Sequence, residues 1–330
     1  MAIFRCNKCG YLREVPNQHT GKKVKCPVCK QIMPIYGILA FVKKLLDKYF
    51  SVRTELSRLQ KSLPATKISN EADGANQNAD DMDIFNTTAM TEKQQYQPIL
   101  DWFKSQNIQL NIDKKAVDTT GFFDEVAVKL GDNYDLLKVV SDKIKYIQNK
   151  RYTNVTLNLS DYSEEEAVLI KEFCKELYEY AFVARYSVNR KQNKIHLTLQ
   201  TAQPIVKFFN GEWLEWFAFM KLLAFCHERK ISFSGLRSFQ IHFPNKNNNE
   251  LDAFFLINGI PVFVECKSGE FRHFIDKYVK LRKRLKMEKK HFFMLVLGLS
   301  DEQIQGLTRM FDITFVNEKT LIQQVSALLK

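Results

Sequence analysis

The chain has 330 residues, a formal net charge of +12 and 45% hydrophobic residues. That is long and apolar enough to hold a sizeable core in two or three units, and it excludes one small domain. No apolar run approaches the roughly 20 residues needed to cross a bilayer. The start Met1-Ala2-Ile3-Phe4-Arg5-Cys6 does not read as a signal peptide, so the expected location is the cytoplasm.

The positive charge is concentrated in two places. Residues 1–36 carry seven Lys and Arg against one acid, and residues 266–290 carry ten against three. Such patches favour a polyanionic partner; the plainer reading is two solvated faces.

Taken in chain order, the first motif is Cys6-x2-Cys9 with Cys26-x2-Cys29, sixteen residues apart. Paired knuckles of this spacing supply a closed four-thiolate tetrahedron, so residues 1–36 resemble a zinc ribbon holding a structural Zn²⁺. Redox-active cysteine pairs are the rival reading, but no thioredoxin-like βαβ pattern surrounds them. His19 could replace a ligand, although four cysteines already suffice. Three isolated cysteines in apolar surroundings argue for a reducing compartment rather than a disulfide framework.

Residues 37–63 read as a helix. Ile38, Val42, Leu45, Tyr49, Val52, Leu56, Leu59 and Leu63 form an a/d heptad seam that Pro64 closes. The pattern predicts a coiled coil pairing this chain with a copy of itself, hence a homo-oligomer. The alternative is an amphipathic helix packed on its own domain, with Phe41, Leu46 and Phe50 widening the stripe. Residues 64–95 hold six acids and two lysines with almost no apolar periodicity, which predicts a disordered acidic linker.

Residues 96–207 read as an α+β middle domain without a chemical motif. Helical patterns run around Ile99 to Phe103 and from Tyr134 to Ile147. Val155, Leu157 and Leu159 alternate as a strand, and Ser163 with Glu166 forms a capping box for a helix through about Tyr180. Phe182 to Val188 and Ile195 to Leu199 read as a hairpin joined by residues 189–193. Its Arg190, Lys191 and Lys194 read as an ordinary solvated turn. No glycine-rich phosphate loop is present.

Residues 208–330 carry the chemistry. A helix starts at Phe208-Phe209-Asn210-Gly211-Glu212-Trp213-Leu214-Glu215, and Glu215 shares its face with Ala218, Phe219, Leu222 and Cys226. A carboxylate on so apolar a stripe needs a partner or a metal; a structural salt bridge is the other reading, and Glu212 is placed to favour the helix dipole. Further on, Asn258-Gly259 between two β-rich runs predicts a two-residue type I′ hairpin. If Ile257 pairs with Ile260, Asp252 falls opposite Glu265, and two carboxylates so placed repel unless a cation lies between them. Alternation puts Phe263, Glu265 and Lys267 on one face of the second strand and Cys266 on the other, toward the core. A Lys- and Arg-rich helix is expected from about Phe271 to Met287. A strand at Phe292 to Leu297, a helix near 301–310, a strand at Ile313 to Val316 and a last helix follow, with one more strand around Phe239 to Phe243.

A helix with Glu, a hairpin with Asp and then Glu-x-Lys resembles the PD-(D/E)XK, or restriction-endonuclease-like, nuclease superfamily. The resemblance rests on Gly211 to Glu215, Asn249-Glu250-Leu251-Asp252 and Val264-Glu265-Cys266-Lys267-Ser268-Gly269. It is nearest to the nuclease parts of CRISPR ancillary endonucleases and of Holliday-junction resolvases. It departs from the family name in having Leu251 where a proline would stand, and residues 96–207 match no cyclic-oligoadenylate sensor. The fold implied is multidomain α/β and α+β, ending in a mixed sheet flanked by helices.

The resemblance implies an Mg²⁺- or Mn²⁺-dependent endonuclease acting on DNA, in defence against phage or plasmid. Glu215, Asp252, Glu265 and Lys267 would be the catalytic set. Asp252, Glu265 and the Cys266 carbonyl would hold the ion, since oxygen donors favour these ions over zinc. Arg272, Lys277, Lys280, Arg282, Arg284 and Lys286 would take the nucleic-acid backbone, and Tyr278 reads as a core tyrosine that could support Lys267. The alternatives are a junction-specific or ligand-activated nuclease of DNA or RNA, and a zinc-ribbon nucleic-acid-binding scaffold with an inactive core.

Overall fold

In the computed structural model, residues 2–6, 11–37, 93–112, 122–244 and 248–329 are described. The heptad segment, and the linker up to residue 92, lie outside them. The chain divides into two units, Met1–Gly74 and Ala75–Lys330.

In the first unit β1 (Ala2–Arg5), β2 (Leu12–Val15), β3 (Lys23–Lys25) and β4 (Ile32–Gly37) form an antiparallel sheet in the order β2-β1-β4-β3. Ala2, Phe4 and Ile35 are buried with Cys6 and Cys26, a core too small to stand without a further staple.

The second unit is mixed α/β. It begins with α1 (Lys93–Ser105) and β5 (Gln109–Asn111), followed by α2 (Phe123–Asp132), α3 (Tyr134–Asn149), β6 (Asn154–Asn158), α4 (Glu164–Glu179), β7 (Val183–Asn189) and β8 (Lys194–Leu199). The expected capping box of Ser163 and Glu166 starts α4. β6, β8 and β7 form a three-stranded antiparallel sheet, in which β7 and β8 are the expected hairpin.

After α5 (Gln203–Lys207) a π-helical turn at Phe208–Glu212 leads into α6 (Trp213–Glu228). Then come β9 (Phe233–His242), β10 (Asn248–Ile257), β11 (Ile260–Lys267), α7 (Ile275–Arg284), β12 (Phe292–Val296), α8 (Asp301–Met310), β13 (Thr314–Val316) and α9 (Leu321–Leu328). The extra strand is thus present, but twice the expected length. The basic helix is shorter than expected, a 3-10 turn at Arg272–Phe274 replacing its first part.

Six strands make the main sheet in the order β13-β12-β11-β10-β9-β5. β11, β12 and β13 run parallel, and the others pair antiparallel. α1 and β5, which the sequence pattern groups with the middle region, run with this sheet: β5 pairs with the far edge of β9, and Phe103 packs on Phe239 and Phe254. The pairing is non-local, which is why a window-by-window reading does not find it.

The sheet is buried on both faces. Phe255, Val262, Val264 and Leu295 share one core with α6, α9 and the helices of the three-stranded sheet. Phe254, Phe263, Phe292 and Met294 share the other with α1 and α7. Each buried Phe contributes about 1.5–3 kcal/mol. Hence β11 is apolar on both sides except at its C-terminal end, where Glu265 and Lys267 emerge.

Helix α2 meets α6 at Gly131, where a Cβ would run into the Phe217 ring. Gly131→Ala should cost about 1–3 kcal/mol by overpacking, lowering the melting temperature. Gly306→Ala, in α8 with open space around the added atom, should gain up to about 1 kcal/mol. Thermal unfolding of the two variants side by side checks both signs.

Candidate active site

The hairpin sets the geometry. Asn258 and Gly259 both have positive φ, 50° and 78°, as the tight turn requires, and Ile257 pairs with Ile260. The ladder pairs residues as far as Ala253↔Val264, and the same register continued by one step would set Asp252 against Glu265. Asp252 is 9% exposed and Glu265 only 1%.

Asp252 accepts the Cys266 backbone N–H on Oδ2 at 2.8 Å. The N–H and C=O of one strand residue point to the same side, so the Cys266 carbonyl faces the strand that carries Asp252. Burial, then the Glu265 charge, raises the Asp252 carboxyl well above its ordinary range. Burial likewise raises Glu265, which Lys267 and the nearby Tyr278 hydroxyl partly offset. Glu265 Oε2 is nevertheless buried without a full hydrogen bond.

Lys267 pairs with Glu265 Oε1, and its ammonium lies 5.1 Å from the centre of the Tyr278 ring and 5.7 Å from that of Phe274. Burial works to lower its pKa, but the charges of Glu265 and Asp252 outweigh that and raise it. Lys267 is therefore a cation throughout the neutral range and no base. Tyr278 is buried, so it is a core tyrosine that also touches the site.

Glu215 enters from α6. This helix is buried nearly all round rather than along one stripe, so the expected face of Ala218, Phe219, Leu222 and Cys226 does not single out the carboxylate. Glu215 retains 19% side-chain exposure and bonds Ser238 Oγ at 2.5 Å and Arg237 Nη1 at 3.4 Å. Burial, then the Asp252 charge, raises its pKa to about 8.

These groups line one cleft of about 380 Å³, formed by Lys207, Asn210, Gly211, Glu212, Glu215, Asp252, Cys266, Lys267, Ser268 and Gly269. Glu265 lies beneath it. Gly211 has φ +143° within the π-turn, and a Cβ there would come within 2.7 Å of Ser268 Oγ, so glycine permits the cleft wall to close up. Sequence reasoning missed Lys207, Arg237, Ser238 and Ser268. Arg237 left one trace, as the one Lys or Arg in β9.

The donor set fits a hard divalent ion: two buried carboxylates, one of them with an oxygen left without a hydrogen bond, and a strand carbonyl. The three carboxylates do not converge within reach of one ion. Among the described residues only the thiols of Cys6, Cys26 and Cys29 do so, all within 4.8 Å of one another. Backbone bonds from Cys6 N–H to Tyr11, Cys26 N–H to Gln31 and Lys30 N–H to Cys26 shape the two turns. These thiols could hold a tetrahedral ion. The fourth expected ligand, Cys9, lies outside the described residues.

Of the six expected nucleic-acid contacts, Arg272, Lys277, Lys280 and Lys286 are exposed. Arg272 pairs with Glu270, and Lys277 adds its charge to the field at Glu265. Arg282 is engaged by Asp312 and the Met287 carbonyl, and Arg284 stacks on Phe243 at 3.6 Å, so both are tied into the fold. None of the six lines the cleft.

Among solved structures, the chain is similar to protein VC1899 from Vibrio cholerae, with TM-score 0.45 and 16% identity over 70% of this chain and 60% of that one. It is also similar to Can2 from Sulfobacillus thermosulfidooxidans, solved in complex with cyclic tetra-adenylate, with TM-score 0.48 and 14% identity over 69% and 59%. The matches thus span about three fifths of those proteins' lengths. No family model and no curated protein matches the chain. Among the described residues, no helix is long and apolar enough to cross a membrane.

Burial in the fold raises the Glu215 carboxyl from its ordinary 4.5 to about 8. The stability belonging to its protonated form is complete below the lower value and lost as pH rises through the higher one. Without divalent ions the melting temperature should therefore fall across that window, and Glu215→Gln should flatten the fall. A wild type that keeps its full melting temperature across the window would contradict this.

Proposed function

We propose that the protein is a metal-dependent endonuclease that hydrolyses phosphodiester bonds in DNA, in defence against foreign DNA. One observation carries the reading: Asp252 and Glu265 are buried on adjacent strands, burial raising both carboxyls and the Glu265 charge adding to the shift at Asp252, with Lys267 beside them and Glu215 lining the same cleft as Asp252. A structural core gains nothing from burying two acids side by side, whereas a site for a hard cation requires them.

Asp252, Glu265 and the Cys266 carbonyl would hold Mg²⁺ or Mn²⁺, which when bound supplies Lewis acidity and an activated water beside the scissile phosphate. Lys267, permanently charged, offsets negative charge as it grows on the phosphoryl oxygens. Glu215, too far to ligate the ion directly, completes its shell through a water in the cleft. The exposed Arg272, Lys277, Lys280 and Lys286 serve the backbone of the nucleic acid and confer affinity without base identity. The ribbon is a structural zinc site of Cys6, Cys9, Cys26 and Cys29, and residues 38–63 pair two copies of the chain.

Plasmid and linear DNA incubated with Mg²⁺ or Mn²⁺ should be cut by the wild type. Lys267→Ala and Asp252→Ala should each lose about a hundredfold or more in rate. Equal cleavage by all three sinks the assignment, and binding without cutting in either ion favours the scaffold alternative. Metal analysis of the purified protein should find one zinc per chain, lost in Cys26→Ser; a zinc-free wild type refutes the ribbon.

A further inference from the structure

The proposed chemistry leaves one feature of the cleft unused, the way β9 approaches Glu215 from behind. Arg237 is 5% exposed, and a guanidinium so deep must be held by partners. Its planar group stacks on Trp216 at 3.6 Å, and Nη1 donates to Ser238 Oγ at 3.0 Å and to Glu215 Oε2 at 3.4 Å. Ser238 in turn donates to the same Oε2 at 2.5 Å.

The backbone is bent to allow this. Ser238 has φ +47°, uncommon for a residue with a side chain, and it lies within a strand. The ladder between β9 and β10 runs in one register from Phe233↔Ile257 to His242↔Asn248, yet the Ser238/Asp252 pair drops out of it. A local break of this kind re-aims a side chain, and here the re-aimed hydroxyl meets Glu215. It occurs opposite Asp252, at the point where the sheet meets the cleft.

Both donors converge on Oε2, whereas Oε1 takes no hydrogen bond from the described residues. We propose that Arg237 and Ser238 are positioning residues that clamp one oxygen of Glu215, so that the other is presented to the cleft beside Asp252 and Lys267. This rests on the reading of the cleft as a phosphodiesterase site. If the two residues served packing alone, their loss would change stability and leave turnover untouched.

The discriminating variant is Ser238→Gly in the full chain. Glycine accepts the positive φ without strain, so the melting temperature should hold or rise while the donor is lost. The expected result is a fall in kcat of about tenfold with KM unchanged. The same substitution on a Glu215→Gln background should add nothing, because the clamp acts through that carboxylate. Arg237→Lys should keep part of the activity that Arg237→Met loses. An unchanged kcat in Ser238→Gly, or a loss that persists in full without Glu215, overturns the proposal.

Mn²⁺ titration of the same proteins separates this from the catalytic reading. Weaker binding in Ser238→Gly, with no further weakening on the Glu215→Gln background, supports the clamp even where the wild type does not cut. Binding unchanged by Ser238→Gly counts against it. A wild type that neither cuts nor binds Mn²⁺ removes both.

Discussion

The structure turns on one electrostatic constraint: Asp252 and Glu265 are held on neighbouring strands where neither is well solvated. In water two such carboxylates would separate or exchange their repulsion for hydration. Here the sheet forbids both, since the residues on either side of them along β10 and β11 are packed into cores on both faces. What remains is proton uptake, the Lys267 ammonium, or a bound cation. The pairing of Lys267 with Glu265 is thus the fold's internal answer to a charge that a divalent ion would answer more fully.

The surroundings are arranged about that constraint. α6, buried nearly all round, delivers Glu215 to the cleft that Asp252 lines. The π-turn before α6 and the glycine at its centre let the wall close against Ser268. Tyr278 of α7 and Phe274 of the 3-10 turn before it border Lys267. The result is a cleft lined mostly by polar and charged residues.

How much of this was readable from the chain depended on how local each cause was. Asn258-Gly259 determines its hairpin within four residues, so the turn and the register as far as Ala253↔Val264 could be read directly. The cysteine spacing was equally local, and three of the four thiols lie together. Arg237 and Ser238 were not legible, because their roles come from pairing with a distant strand and from a positive φ that breaks the period-two rule. The α6 pattern misled for a related reason: when every face is apolar, periodicity no longer singles one out. The placement of α1 and β5 along the main sheet depends on contacts more than a hundred residues apart in sequence.

The most direct test of the central claim is calorimetric titration of Mn²⁺ into the zinc-loaded full chain at neutral pH. The account predicts binding by the wild type that is abolished in the Asp252→Asn/Glu265→Gln double variant, with zinc content unchanged. Failure of the wild type to bind, or equal binding by the double variant, would contradict it.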